Sequence, residues 1–184
     1  VSARTGVPPR LWLVESFLNS VDVASGADDL VDADHFRAWL RAHHRPADAG
    51  HVTAPDLEWA RQLRAALRDV LRRHHGDNTS IDADGLTELA LPAGLGVAFD
   101  ADGDATVRPA GVGVSRFLAE VLGATVLASI SGEWRRLKLC SAPECEVVYY
   151  DGSKNRSKRW CSMRICGNRS KTRSYYRRST GVVP

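Results

Sequence analysis

Apolar residues first recur at helical spacing from Arg10, as Leu11, Trp12, Val14, Phe17 and Leu18, and the run ends near Asn19-Ser20-Val21-Asp22. Residues 1–9 read as a frayed lead-in. After a polar loop, Asp32 or Asp34 is placed to cap a short helix carrying Phe36, Trp39 and Leu40, with His43 and His44 near its end. The strongest signal starts at Thr53, an N-cap residue followed by Pro55 in the first turn and by Asp56 and Glu58 at the positive end of the helix dipole. Leu57, Ala60, Leu63, Leu67, Val70 and Leu71 form its apolar stripe. Arg72, Arg73, His74 and His75 close it at the negative end, and Gly76 stops it. Leu86, Leu89 and Leu91 imply a second, shorter helix.

The period then changes. Leu95, Val97 and Phe99 alternate with smaller residues, Asp100-Ala101-Asp102-Gly103 turns, and Ala105 to Arg108 returns as a partner strand. From Ser115 a helix resumes through Phe117, Leu118, Val121, Leu122, Val126, Leu127 and Ile130, apolar nearly all round, as expected of a helix central to a core. No Pro- or Ser-rich linker follows, so the C-terminal segment is expected to pack on what precedes it. The expected architecture is a mostly α domain over residues 1–136 with one β-hairpin, followed by a separate small module over 137–184. No run approaches the roughly 20 apolar residues of a membrane span. Nothing at the N-terminus reads as a signal peptide, so a cytoplasmic protein is the expectation.

That module holds all four cysteines of the chain, as Cys140-x4-Cys145, a 15-residue gap, and Cys161-x4-Cys166. Two close thiol pairs joined by a loop can fold into an all-sulfur tetrahedral site, for which Zn²⁺ is the usual occupant. Two disulfides would need an oxidising compartment, and unrelated core thiols would not crowd one short window. The helix expected from Gly167 onward puts Cys166 at its start, where dipole and amide groups favour a thiolate, so hairpin, loop and helix make a treble-clef-like finger.

Charge separates the same two regions. Residues 135–184 contain 13 Lys and Arg against three acidic residues, a net +10, whereas residues 1–134 carry 12 basic and 19 acidic residues, a net −7. A segregated positive charge of this density attracts a polyanion. The basic candidates are Arg156, Lys158 and Arg159 on the loop between the cysteine pairs, and Arg169, Lys171, Arg173, Arg177 and Arg178 on the final helix. Arg169 and Arg173 are placed to read bases and the loop to follow phosphates. Charge alone does not separate DNA from RNA, so an RNA-binding zinc protein is one alternative and a protein-interaction module with a purely structural zinc site another; the competing role for this helix is to pack on the acidic domain of its own chain. A homodimer would suit paired half-sites.

Cys166-Gly167-Asn168-Arg169, preceded by Arg159-Trp160-Cys161-Ser162-Met163 and followed by Ser170-Lys171-Thr172-Arg173, resembles the CGNR zinc-finger family. The likeness extends back through Tyr150-Asp151-Gly152-Ser153-Lys154-Asn155 to Leu139-Cys140. Phe17-Leu18-Asn19-Ser20 and Leu63-Arg64-Ala65-Ala66-Leu67 resemble segments of the ABATE domain that precedes this finger in bacterial proteins. The resemblance implies a transcription regulator that binds DNA through the finger and senses a small-molecule effector or a partner through the N-terminal domain. Trp12, Asn19 and Arg64 are the candidates for lining an effector pocket, against structural roles as core residue, helix cap and salt-bridge partner respectively.

Other signals have plainer readings. Asp100 to Asp104 is too short for a calcium loop and lacks its distal Glu, so it is a turn. The His43-His44 and His74-His75 pairs point about 100° apart on a helix and read as helix-end cations. No nucleophile–base pair, phosphate loop or paired carboxylates stand out, so an enzyme is not expected.

Overall fold

The structure, a computed structural model, describes residues 6–76 and 80–180; of Ser174, Tyr175 and residues 177–180 it describes the backbone alone. Six α-helices and three two-stranded antiparallel ladders are present among the described residues. Helices α1 (Trp12–Leu18), α2 (Ala33–Ala42), α3 (Ala54–Arg73), α4 (Ala83–Ala90) and α5 (Gly113–Ile130) precede α6 (Asn168–Thr180). The ladders pair β1 (Val21–Asp22) with β2 (Ala27–Asp28), β3 (Leu95–Phe99) with β4 (Ala105–Pro109), and β5 (Leu137–Leu139) with β6 (Val148–Tyr150).

Local chemistry sets the ends of the helices. Asp32 caps α2 by accepting from the His35 amide. Thr53 begins α3 with a full capping box: the Asp56 amide donates to Thr53 Oγ1, and the Thr53 amide donates to the Asp56 carboxylate at 2.9 Å. In the β3–β4 turn, Asp100 accepts from the Asp102 and Asp104 amides. The ladder β1–β2 is additional to the single N-terminal hairpin expected, lying within the stretch read as a polar loop.

The core forms where α1, α2 and α5 bring Phe17, Phe36, Trp39 and Phe117 edge to face, with Phe117 centroids 5.4–5.9 Å from the other three rings. The apolar stripe of α3 closes one side of it. Helix α5 is central over its first half, where Val114, Phe117, Leu118 and Val121 are buried. Its second half emerges, leaving Ile130 80 % exposed, and the alternating β3 positions Val97 and Phe99 are exposed as well. Contrary to the composition-based expectation, α5 is long and apolar enough to meet the length and hydropathy of a membrane span. Its polar residues nevertheless fix it to the α2–α3 connection: Arg116 donates twice to buried Asp48 and Arg45 pairs with Glu120.

The β5–β6 hairpin joins the two regions because its faces alternate. Leu137, Leu139 and Val148 enter the helical core, whereas Lys138, paired in register with Tyr149, faces the C-terminal module. Asn19, at the end of α1, fastens the hairpin edge: its amide donates to the Val148 carbonyl and its carbonyl accepts from the Val148 amide, both at 2.8 Å. Asn19→Ala leaves both backbone groups unpaired and is expected to cost about 1–3 kcal/mol, lowering the melting temperature by about 2–4 °C per kcal/mol. Thermal unfolding monitored by circular dichroism checks this.

Two of the helix-end histidines, His43 and His74, are packed against aromatic rings. His74 shares a 2.8 Å hydrogen bond between Nδ1 and the Leu137 carbonyl and meets the Trp134 ring edge-on. Burial lowers its pKa, which favours the neutral ring. His43 stacks on Trp39 with centroids 3.9 Å apart.

Candidate metal centre and basic surface

Hairpin, loop and helix converge on four sulfurs. Cys140 leaves β5 with its amide bonded to the Val147 carbonyl, and the Cys145 amide closes the first knuckle on the Ala142 carbonyl. The chain returns along the first knuckle, the Ser141 amide bonding to the Arg159 carbonyl, and enters the second at Cys161. Ser162 caps the helical turn Met163–Gly167 by accepting from the Ile165 amide, so Cys166 lies in the turn that leads directly into α6. This is the treble-clef-like order expected from the sequence.

The four Sγ atoms lie within 4.8 Å of one another, and Cys161 is 3.7 Å from both Cys145 and Cys166. A disulfide would need about 2.05 Å. Four thiolates about 2.3 Å from a tetrahedral zinc are separated by about 3.8 Å, so the residues fit such an ion. Their protonation points the same way. A hydrogen bond from the Cys161 thiol holds Cys140 down at about 5, and that bond together with burial raises Cys161. Burial and the Cys145 thiol push Cys166 up to about 11. Cys140 ionises readily, whereas Cys161 and Cys166 resist ionising until a cation neutralises the cluster.

A second, buried network shapes the basic loop. Lys138 and Asp151 are 4 % and 0 % exposed and pair at 2.7 Å. Asp151 also accepts from the Ser153 and Lys158 amides, and the Lys138 ammonium reaches the Arg156 carbonyl at 2.5 Å. Tyr149 donates to the Lys158 carbonyl at 2.6 Å. Arg156 adopts a left-handed backbone (φ 51°), which costs a non-glycine residue energy and persists here because the network fixes its carbonyl. Although burial opposes it, the Lys138 ammonium and Ser153 hold Asp151 at about 2. In the sequence Lys138 enters only the count of basic residues; the one signal of its role is Asp151-Gly152-Ser153, whose turn-forming residues imply a fixed loop.

The expected nucleic-acid residues divide into groups. Arg156, Lys158, Arg159 and Lys171 are exposed and make no ion pair among the described residues. Arg173 instead forms a two-pronged pair with Glu144 of the first knuckle, and Arg169 lies 3.8 Å from the same carboxylate. Both residues chosen for base reading are therefore engaged within the finger. The side chains of Arg177 and Arg178 lie outside the described residues. Among those described, α6 forms no ion pair with residues 6–134. The charge contact between the two regions has the opposite polarity: Glu146, beside Cys145, is held by Arg68 and Arg72 of α3.

Of the three effector-pocket candidates, Arg64 borders a cleft, and each of the three has a structural partner. Asn19 is spent on Val148. Trp12 is 43 % exposed, so it is not a core residue, and its indole donates to the Val7 carbonyl. Arg64 is 7 % exposed, forms a bidentate pair with Asp28 at 2.6 and 2.7 Å, and borders a cleft along α3.

Fold and site together define a helical domain that shares a hairpin with a C-terminal four-cysteine zinc finger. Residues 136–179 match the CGNR zinc finger. Residues 12–132, more than half of the chain, match the ABATE family, described as "Putative stress-induced transcription regulator"; the chain belongs to this family. Among curated proteins no match was found.

Proposed function

We propose that the protein is a transcription regulator that binds duplex DNA through its finger, with Zn²⁺ as the structural ion on Cys140, Cys145, Cys161 and Cys166. The observation behind this reading is that one sulfur cluster anchors two basic segments, the loop 153–159 ending on Cys161 and α6 starting after Cys166. Exposed Arg156, Lys158, Arg159 and Lys171 are the phosphate contacts. Arg169 and Arg173 join them by exchanging Glu144 for phosphate, since an exposed ion pair is weak and salt-screened. The helical domain senses a small molecule and transmits its state through the shared hairpin.

Duplex binding is expected to fall with salt at a log–log slope of about −0.9 per phosphate contact, and Arg156→Ala is expected to flatten the slope by about one. Glu144→Gln frees two arginines and is expected to tighten binding. Fluorescence anisotropy over a salt series, with single strands and structured RNA as competitors, measures both. No salt-dependent duplex binding, or preference for structured RNA, would contradict the reading.

A further inference from the structure

Arg61, Arg64, Arg68 and Arg72 stand three or four residues apart along one face of α3 and border a single cleft of about 210 Å³. Asp69 and Glu146 contribute two carboxylates, so the lining keeps a net charge of +2. Arg64 and Arg68 are 7 % and 5 % exposed. Buried guanidiniums this close are tolerated only with anionic or carbonyl partners, and the chain supplies most of them from distant segments. Asp28 takes Arg64, the Leu18 and Glu146 carbonyls take Arg68, Asp69 of the same helix takes Arg72, and the Glu146 carboxylate reaches Arg68 at 3.2 Å and Arg72 at 2.8 Å.

Of these partners, Glu146 is the replaceable one. Its side chain is partly exposed, and its backbone is in the left-handed region (φ 47°). Its carboxylate occupies the position a free oxyanion would take between two guanidiniums. We propose that the cleft is a binding site for a small oxyanion, a carboxylate or phosphate of few heavy atoms, which displaces the Glu146 carboxylate from Arg68 and Arg72. The volume is below the roughly 300 Å³ at which drug-sized pockets begin, which favours a ligand smaller than a nucleotide. Because Glu146 directly follows Cys145, the exchange removes the side-chain part of the contact that ties the first knuckle to α3 and leaves the Glu146 carbonyl on Arg68. Binding is thereby coupled to how the finger sits on the helical domain.

This deepens the sensing part of the proposed function and rests on it. The test contains no nucleic acid, so its failure leaves the DNA-binding reading standing, and the reverse holds too. The metal-loaded full chain is titrated with inorganic phosphate and, separately, with succinate at constant ionic strength, with chloride as reference, and followed by calorimetry and thermal shift. Saturable binding of one of the two is expected, and which one identifies the headgroup. Glu146→Gln removes the internal competitor and is expected to tighten binding about fivefold, while Arg72→Gln weakens it by a similar factor. Opposite responses separate a site from general salt stabilisation, which would move neither variant. Metal content is measured alongside; if Glu146→Gln loses metal, the wild-type titration and Arg72→Gln decide alone. No saturable binding of either anion above chloride, or an Arg72→Gln affinity equal to wild type, would overturn the proposal.

Discussion

Cys166→Ala is expected to release the metal and unfold the module beyond the β5–β6 hairpin, while helices α1 to α5 stay folded. The module's own cluster is small: Cys140, Ala142, Tyr149 and Cys166, with Trp160 and the other two cysteines against it. Burial on that scale does not hold a segment of this length, so the ion supplies most of its folding free energy, roughly 10–16 kcal/mol for structural zinc. Leu137, Leu139 and Val148 belong instead to the helical core, and the hairpin is expected to survive. Metal analysis and limited trypsin digestion measure the two halves of this expectation. The variant should lack stoichiometric metal and become cleavable at Lys154, Arg156, Lys158 and Arg164, with the helical domain protease-resistant. A variant that keeps both its metal and wild-type resistance would show that three thiols suffice.

The second large effect is expected from Lys138→Met. It leaves the fully buried Asp151 facing an apolar side chain, and breaking a buried pair from one side costs about 3–5 kcal/mol. The sign of the pH response follows. In the wild type the Asp151 carboxyl is held at about 2, below its ordinary 3.8, so its contribution is complete above about pH 4 and lost as pH falls toward 2. Without the ammonium, burial acts against the Ser153 and Lys158 hydrogen bonds alone, so the carboxyl is expected to rise above its wild-type position. Protonation then removes the stranded charge at a higher pH in the variant than in the wild type, so the stability gap between them is expected to narrow as pH falls. Chemical denaturation over a pH series measures that gap. A gap independent of pH would mean that lost packing, not the stranded carboxylate, sets the cost. Because the pair also fixes Arg156, the variant is expected to bind duplex DNA more weakly even where it stays folded and metal-loaded.

Much of this was legible in the sequence wherever the determinant is local. Thr53 and Asp56 lie three residues apart, and the Asp100 turn closes on itself. The cysteine pairs are knuckles by spacing alone. Partners distant in the chain were not legible. Lys138 reads as one more basic residue in a basic tail until the β5–β6 register places it beneath Asp151. Asn19 reads as a helix cap and does occupy the C-cap of α1, but nothing near it reveals that Val148, 129 residues on, takes its side chain. Alternation through Leu95, Val97 and Phe99 correctly implied a strand, but periodicity identifies a face without saying what covers it. Arg169 and Arg173 were placed on one helical face by their spacing, yet the residue they meet, Glu144, belongs to the other knuckle. In each case the missing information was a contact made only once the hairpin and the sulfur cluster had brought remote segments together.

The most direct test is duplex DNA binding by one preparation before metal removal, after chelation under reducing conditions, and after stoichiometric Zn²⁺ is returned. If the ion aligns loop 153–159 with α6 to make the DNA surface, binding should be lost on chelation and recovered with zinc, while the circular dichroism of the helical domain stays largely unchanged. Equal affinity and equal salt dependence with and without the metal would contradict it.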